Sequence, residues 1–267
     1  MLRGAIAAVL ATTALATAQV AHAADAPVPL LLAGAATSAT DPTPVQLDAD
    51  LYLPAVTPAP AILLAHGFGG SKESVTGQAQ FLADSGFVVL AYTARGFGRS
   101  TGLISMNSPA YEVADASALV DYLASLASVS QESTGDPVVG VAGGSYGGAL
   151  ALLLAGYDER IDAVSADITW NDLETSLFAQ SVPDGVRPGV LKTLWTSLFF
   201  SSGLGFEPGQ SVTECGRFTP QWCAAYVDAV TQGQVSKDAA TLMLQSSPRS
   251  ITGRITAPVL LLSLIHI

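Results

Sequence analysis

The residues from Val138 to Ala155 read VVGVAGGSYGGALALLLA, and this stretch decides the fold of the chain. It opens with a short apolar run, which is typical of a strand covered on both faces. It closes with a segment rich in alanine and leucine, which favour a helix. Between them, Gly143 to Gly148 satisfies the G-x-S-x-G pattern of a nucleophile elbow, in which a serine lies at a sharp turn from strand to helix.

Ser145, at the centre of this motif, is the candidate catalytic nucleophile. Such a serine must adopt a strained backbone conformation, and flanking glycines leave room for the strand and the helix to approach each other. A glycine-rich structural turn is the alternative, because the pattern also arises by chance in loops rich in glycine and serine. The strand before the motif and the helix after it favour the catalytic interpretation.

Acyl transfer also needs donors for the oxyanion that forms when a carbonyl is attacked, and each donor contributes about 3 kcal/mol. We predict two backbone N–H groups for this oxyanion hole. Tyr146 directly follows the candidate nucleophile at a helix start, and Phe68 follows His66-Gly67 where an earlier apolar run ends. For His66-Gly67, an ordinary turn from strand to loop is the alternative.

His66 is also the only histidine in the middle of the chain, which makes it a candidate general base. We reject that role, because the base in this architecture follows the nucleophile and the last strands. A histidine before Gly67 more often orients the oxyanion loop through its ring nitrogens.

Strand-like and helix-like patterns alternate along the chain. The predicted strands are Val45 to Leu53, Ala61 to Ala65, Phe87 to Tyr92, Val138 to Ala142, Ile161 to Ala166 and Ala257 to Leu262. The predicted helices are Val75 to Ser85, Ala110 to Leu126 and Tyr146 to Ala155. This alternation predicts an α/β fold: a mostly parallel sheet with helices on both faces.

The alternation stops after the predicted strand Ile161 to Ala166. From Trp170 to about Arg249, aromatic residues, prolines and glycines accumulate. We predict helical pieces around Val190 to Phe200 and Gln221 to Gln232 in this part. The predicted organisation has a leader (1–23), an amino-terminal Pro/Ala/Thr-rich segment (24–44), an α/β core (45–169), a cap insertion (170–249) and a last core strand (250–267).

Composition limits the classes of partner. Hydrophobic residues make up 49% of the chain, which suffices for a sizeable core. The formal net charge is -11 and there is no basic run, so nucleic acid and anionic membrane surfaces are poor partners. The sequence gives no indication of oligomeric state.

Two glycine-rich segments resemble nucleotide-binding loops only superficially. Gly67 to Ser74 (GFGGSKES) lacks the lysine directly after its last glycine, and Glu73 would repel phosphate. Gly96-x-Gly98-x-x-x-Gly102 misses the dinucleotide spacing by one residue. We therefore predict no nucleotide cofactor and no other cofactor.

The first residues have the pattern of a secretory signal. Arg3 is followed by a small and apolar stretch, and Ala21-His22-Ala23 offers a cleavage site. The apolar stretch is shorter than the ~20 residues that span a bilayer, which disfavours a membrane anchor. We expect a secreted mature chain that begins at Ala24.

Cys215 and Cys223 are the only cysteines. In an exported protein we expect them to form a disulfide, because an oxidising compartment lets such a near pair close. Two buried thiols are the alternative. We predict no metal site, since no histidine lies between Arg217 and His266.

Three motifs give the chain a resemblance to the X-prolyl dipeptidyl-peptidase and cocaine-esterase-like group of α/β-hydrolases, over roughly residues 45–262. They are His66-Gly67-Phe68-Gly69-Gly70, Arg95 to Gly102 (RGFGRSTG) and Gly143 to Gly148. The resemblance implies an α/β-hydrolase fold with a helical cap and a structural role for the second motif. It also implies acyl transfer through the serine, on a small-molecule ester, an amide or a short peptide cleaved after proline.

The resemblance also implies an acid in the turn after the strand at 259–262 and a histidine well beyond it. Ser263 to Ile267 offers neither a turn signal nor a carboxylate, so we interpret the chain as truncated and expect it to be inactive in this form. His266 lies directly after a strand, with no room for the acid loop, and is not the expected base.

Asp167 is the one carboxylate directly after a predicted sheet strand. Some hydrolases take their acid from that position, but a cap or turn residue that opens the insertion is the preferred interpretation. The alternative function for the whole protein is a non-catalytic secreted binding protein on the same fold.

Overall fold

The computed structural model describes residues 26–182, 187, 189–204 and 215–263. The strands are β1 (Val28–Ala36), β2 (Pro44–Tyr52), β3 (Ala61–Ala65), β4 (Val88–Tyr92), β5 (Gln131–Ser133), β6 (Asp136–Pro137), β7 (Val139–Gly144), β8 (Ile161–Asp167), β9 (Phe178–Ala179), β10 (Val190–Leu191) and β11 (Val259–Leu262). The α-helices are α1 (Thr76–Asp84), α2 (Ala114–Ser125), α3 (Tyr146–Tyr157), α4 (Leu173–Leu177), α5 (Thr193–Leu204), α6 (Pro220–Gln232) and α7 (Lys237–Gln245). A π-helical turn, Pro109–Val113, leads into α2.

Seven strands form the central sheet, in the order β1-β2-β4-β3-β7-β8-β11. The five strands from β4 to β11 run parallel to one another, whereas β1 and β2 join antiparallel at one end. The carboxyl ends of the parallel strands therefore meet at one edge, where ligands bind in open α/β sheets.

Helices cover both faces of this sheet. Ala79 and Ala83 of α1 pack against one face, in a cluster with Leu64 and Val89. Helices α2 and α3 pack against the other face, in the main core. Residues 146–155 of α3 are buried throughout, which explains why the helix is built from alanine and leucine. The predicted α/β architecture with helices on both faces is confirmed.

The amino-terminal segment contributes a strand to the central sheet, although its composition, rich in Pro, Ala and Thr, gave no indication of one. Its residues 28–36 form β1, which pairs with β2 along most of its length. The Asp115 carboxylate accepts a hydrogen bond from the Ala35 amide at 2.7 Å and two from the Arg95 guanidinium at 2.6 and 2.7 Å. The apolar run VPLLL forms a strand because β2 offers an open edge, which local composition does not reveal.

The RGFGRSTG loop has the structural role that the resemblance implied. Arg95 is buried in its ion pair with Asp115. Gly96 has a φ of 75°, and a Cβ there would lie 2.7 Å from the Ile104 side chain. The Ser100 hydroxyl donates to the Thr93 carbonyl at 2.6 Å and accepts from the Asp48 amide at 2.9 Å. The loop thus ties β2 and β4 together.

After β8 the chain leaves the central sheet and returns at β11. The part between them contains α4 to α7 and the antiparallel pair β9 and β10. The predicted helix over Val190 to Phe200 begins only at Thr193, because Val190 and Leu191 pair with β9. Among the described residues, no helix is both long enough and apolar enough to cross a bilayer.

The predicted disulfide between Cys215 and Cys223 is confirmed. It joins the residues that precede α6 to the first turn of that helix. The predicted leader, residues 1–23, lies outside the described part of the chain.

Candidate active site

Ser145 lies at the turn between β7 and α3, with φ of 53° and ψ of -114°. A positive φ strains a residue that has a side chain, so the surroundings must hold it in place. The Ser145 amide donates to the Asp167 carbonyl at 2.8 Å, and the Thr169 hydroxyl donates to the Ser145 carbonyl at 2.7 Å. The end of β8 therefore fixes the strained serine.

Two glycines make the turn possible. A Cβ on Gly143 would lie 2.6 Å from the Gly147 carbonyl carbon and 2.8 Å from the Ala65 oxygen. A Cβ on Gly147 would lie 2.8 Å from both the Ala65 carbonyl carbon and the His66 oxygen. Side chains do not tolerate such contacts with backbone, so the helix start can pack on β3 only with glycine at both positions.

His66 is buried and holds the loop that follows β3. Its Nε2 accepts a hydrogen bond from the Ala94 amide at 3.0 Å, so the other ring nitrogen carries the proton and donates to the Gly67 carbonyl at 2.7 Å. Burial lowers the pKa of His66, which keeps the ring neutral. With both nitrogens bound to backbone, His66 orients the loop, as the sequence indicated.

This loop lies against the candidate nucleophile. A Cβ on Gly67 would be 3.9 Å from the Ser145 Cβ. The Phe68 ring packs edge-to-face on Phe97 at 5.0 Å and on Tyr146 at 5.4 Å between ring centroids. Loop and elbow therefore form one packed unit.

The backbone amides of Phe68 and Tyr146 share one property. Within the part of the chain that the structure describes, neither amide donates a hydrogen bond to another residue. For Tyr146 this follows from its place in the first turn of α3, where the N–H groups have no partner in the helix. A ligand oxygen would therefore displace no described partner of either amide.

Ser145 opens onto a cavity of about 450 Å³ between the core and the insertion. Its described lining is Phe68, Met106, Ser145, Tyr146, Ile168, Thr169, Trp170, Leu173, Ser176, Leu177, Lys192, Trp195 and Phe199. The three residues that the sequence named as nucleophile and oxyanion donors thus line one cavity. Its volume is that of a small-molecule site.

A second, smaller cavity of about 60 Å³ adjoins the first. Met106, Leu177 and Phe199 border both cavities. The smaller cavity is lined almost wholly by apolar side chains of the insertion. Among the aromatic residues of the insertion, Trp170 and Trp195 line the serine cavity, whereas Trp222 and Tyr226 line the smaller one.

Sequence reasoning missed a buried polar network below the elbow. The Asn107 side-chain amide donates to the Tyr146 carbonyl at 2.8 Å, and the Tyr146 hydroxyl donates to the Glu112 carboxylate at 3.4 Å. Glu112 also accepts from the amides of Ser105 at 2.5 Å and Ser108 at 3.0 Å. Burial raises the pKa of Glu112 to about 7, although the Arg95 charge opposes this. A position within a predicted helix gave no signal of this role.

No histidine among the described residues is free to act as a general base at this site. His66 is the only histidine among them, and both of its ring nitrogens are engaged, while His22 and His266 lie outside the described residues. Asp167 ends β8, and its Oδ1 is buried with no hydrogen-bond partner among the described residues. No group of three or more His, Cys, Asp or Glu residues in the described part is arranged to hold a metal ion.

A family model described as X-Pro dipeptidyl-peptidase (S15 family) matches residues 43–260. Among curated relatives, the "uncharacterized protein PA2218" of Pseudomonas aeruginosa is 38% identical over 125 residues, which are 45% of this chain and 32% of that protein. The thiohydrolase aneE of Aspergillus aculeatus is 30% identical over 127 residues, which are 47% of this chain and 38% of that protein. The matches cover 32 to 46% of the curated relatives' lengths, so this chain spans less than half of each.

Solved structures share the fold. The esterase Pf2001 of Pyrococcus furiosus superposes with a TM-score of 0.52 at 17% identity, over 88% of this chain and 69% of that chain. At this identity the likeness shows the fold alone, which is that of the α/β hydrolases.

Proposed function

Because the chain belongs to the X-Pro dipeptidyl-peptidase (S15) family of α/β hydrolases, we propose that it is a serine hydrolase that acts through Ser145. Its proposed reaction is acyl transfer from an ester, an amide or an X-Pro peptide to water. One observation carries the proposal: Ser145 has a positive φ at a strand-to-helix turn and lines one cavity with Phe68 and Tyr146, whose backbone amides donate to no described residue.

In the proposed reaction the Ser145 hydroxyl oxygen attacks the substrate carbonyl carbon and forms a tetrahedral intermediate. The Phe68 and Tyr146 amides hydrogen-bond its oxyanion, and each such donor contributes about 3 kcal/mol to the barrier reduction in acyl transfer. The leaving group departs with the proton that the Ser145 hydroxyl loses. Water then hydrolyses the acyl-serine ester, which releases the carboxylic acid and returns a proton to Ser145. The two amides bind the oxyanion more tightly than the neutral carbonyl oxygen of the substrate, and this difference accelerates the reaction.

No histidine among the described residues is free to act as the base, so we assign the base to none of them. Asp167 stays a candidate for orienting a base, because one of its carboxylate oxygens is buried and unbonded among the described residues.

The cavity and the relatives of the chain support a proposal for the substrate class. The cavity has the volume of a small-molecule site and a mostly apolar wall. One curated relative is named a thiohydrolase, and one solved structure with the same fold is named an esterase. We propose a small ester or thioester as the substrate, with an X-Pro peptide as the alternative that the family name offers.

We also propose that the protein is exported and that residues 1–23 are removed. The disulfide between Cys215 and Cys223 supports an oxidising compartment. Amino-terminal sequencing of protein recovered from the medium or periplasm should begin at Ala24. Recovery of the exported protein with Met1 intact would contradict the proposal.

The second candidate function is a non-catalytic binding protein that uses the same cavity. The engagement of both ring nitrogens of His66, the one histidine among the described residues, favours this function. The two functions differ in one outcome, because a binding protein has no need of the Ser145 hydroxyl.

The test is hydrolysis of 4-nitrophenyl butyrate by the wild-type protein and two variants. Ser145→Ala should abolish the hydrolysis above background. Ser176→Ala is the matched control, because Ser176 lines the same cavity but its hydroxyl donates to the Asp172 carbonyl at 2.7 Å. The control should keep the wild-type rate within about two-fold. Equal rates for wild type and Ser145→Ala would exclude catalysis through Ser145 and favour the binding protein.

A further inference from the structure

The cavity beside Ser145 has one charged side chain, that of Lys192, among the described residues that line it. The others are apolar, aromatic or neutral polar residues. Lys192 lies between β10 and α5 and is solvent-exposed as well as part of the cavity wall. It therefore lies at the opening of the cavity.

Most of the protein's buried or partly buried cations already have acidic partners. Lys72 is buried and pairs with Asp48 at 2.9 Å and with Asp50 at 2.7 Å. Lys192, in contrast, forms no ion pair with any residue that the structure describes. No described carboxylate therefore competes with a ligand for its ammonium.

Lys192 differs from the exposed cations Lys237 and Arg254 in that it lines this cavity. The chain has a net charge of -11, and Lys192 is one of only three lysines, with Lys72 and Lys237. A cation that opens onto a cavity without any described carboxylate in its wall gives that cavity a charge opposite to that of the whole protein. Such local complementarity selects ligands by charge.

We propose that the substrate carries a carboxylate at the end that is not cleaved, and that this carboxylate pairs with Lys192. The inference rests on the proposed function and narrows its substrate class to half-esters or half-thioesters of short dicarboxylic acids. Lys192 is accordingly a specificity-determining residue and takes no part in bond breaking.

Two other charged ligands fit the cavity less well. The free amino terminus of a peptide would place a second ammonium near Lys192, with no described carboxylate in the wall to bind it. A phosphate dianion would leave one negative charge without a partner, because a single ammonium neutralises a single charge. The single negative charge of a carboxylate neutralises the single positive charge of Lys192, and its oxygens can accept hydrogen bonds from the ammonium.

The test measures binding and so does not depend on turnover. Three probes share a benzyl ester and differ in the charge at the far end: monobenzyl glutarate is anionic, benzyl methyl glutarate is neutral and benzyl 5-aminopentanoate is cationic. The protein is the Ser145→Ala variant at pH 8 and low salt. Trp170 and Trp195 line the cavity, so their fluorescence reports binding.

We expect the anionic probe to bind about five-fold more tightly than the neutral probe, the ratio that a partly exposed ion pair supports, and the cationic probe to bind most weakly. Adding Lys192→Met should remove the preference, and Lys192→Arg should keep it. Lys237→Met is the matched control, because Lys237 is exposed on α7 and lines neither cavity. It should leave the preference unchanged, and added salt should weaken the preference in every protein that has it.

Equal affinities for the anionic and neutral probes, or a preference that survives Lys192→Met, would overturn the inference. Absence of binding by all three probes would overturn it as well. The proposed function fails separately: if the preference depends on Lys192 but Ser145→Ala does not affect ester hydrolysis, the anion site stands and the serine mechanism falls.

Discussion

The hydroxyl of Tyr146 donates a hydrogen bond to the buried carboxylate of Glu112 at 3.4 Å. Tyr146 directly follows the proposed nucleophile and supplies one of its two oxyanion donors. Glu112 also binds the amides of Ser105 and Ser108, and between these lie Met106 and Asn107 with φ of 56° and 61°. The carboxylate thus holds a strained loop that borders the cavity and binds the elbow.

Glu112 gives the protein a testable pH dependence. Burial raises its pKa from 4.5 to about 7, so the folded state binds this proton more tightly than the unfolded state does. The free energy of unfolding therefore falls as the pH rises from about 4.5 through 7, by about 3 kcal/mol for this group. Glu112→Gln cannot ionise and should lack this part of the fall.

Urea unfolding of wild type and Glu112→Gln at pH 5 and pH 8 measures the effect. His66 and Asp115, whose pKa values also shift, are present in both proteins and cancel in the comparison. The stability of the variant relative to wild type should rise between the two pH values. A difference that stays constant with pH would show that Glu112 does not titrate in this range.

Gly147 should tolerate no side chain. Gly147→Ala places a methyl group against the carbonyls of Ala65 and His66, both of them backbone that cannot move aside cheaply. We expect a loss of about 3 kcal/mol or more in the free energy of unfolding. Gly77→Ala in α1 is the control: a Cβ there meets nothing within 4 Å, so that variant should be as stable as wild type or slightly more so. Equal stabilities for the two variants would contradict the packing of α3 against β3.

The sequence predicted the features that contiguous residues determine. Strand β3, Ala61–Ala65, has the predicted bounds. Its apolar run is too short for a helix and is bounded by Pro60 and by the His66-Gly67 pair, which are local signals. The elbow was predicted because its glycines and serine are contiguous.

Features that depend on distant partners were missed. Strand β1 needs the open edge of β2, and Val190–Leu191 form a strand only because Phe178–Ala179 lie beside them. Glu112 acquires its role from loop residues and from Tyr146 on another helix. No periodicity in one segment reports such contacts between segments.

The disulfide should stabilise the segment around α6. On the chain-entropy model, closing so short a loop contributes about 2.5 kcal/mol. We expect Cys215→Ser/Cys223→Ser to lower the free energy of unfolding by up to this amount, and the wild-type protein to take up no alkylating reagent without reductant. Urea unfolding measures the change in free energy. Intact mass after alkylation of the unfolded, unreduced protein tests the bond itself, and labelling of both thiols would contradict it.

The central claim is that Ser145 is a reactive nucleophile, and covalent labelling tests it most directly. The wild-type chain should be incubated with a fluorophosphonate probe at high concentration, and the adduct should then be mapped by peptide mass spectrometry. We predict one adduct, on Ser145, which is absent from Ser145→Ala and retained in Ser176→Ala. An adduct on another serine, or none after prolonged incubation, would contradict the account.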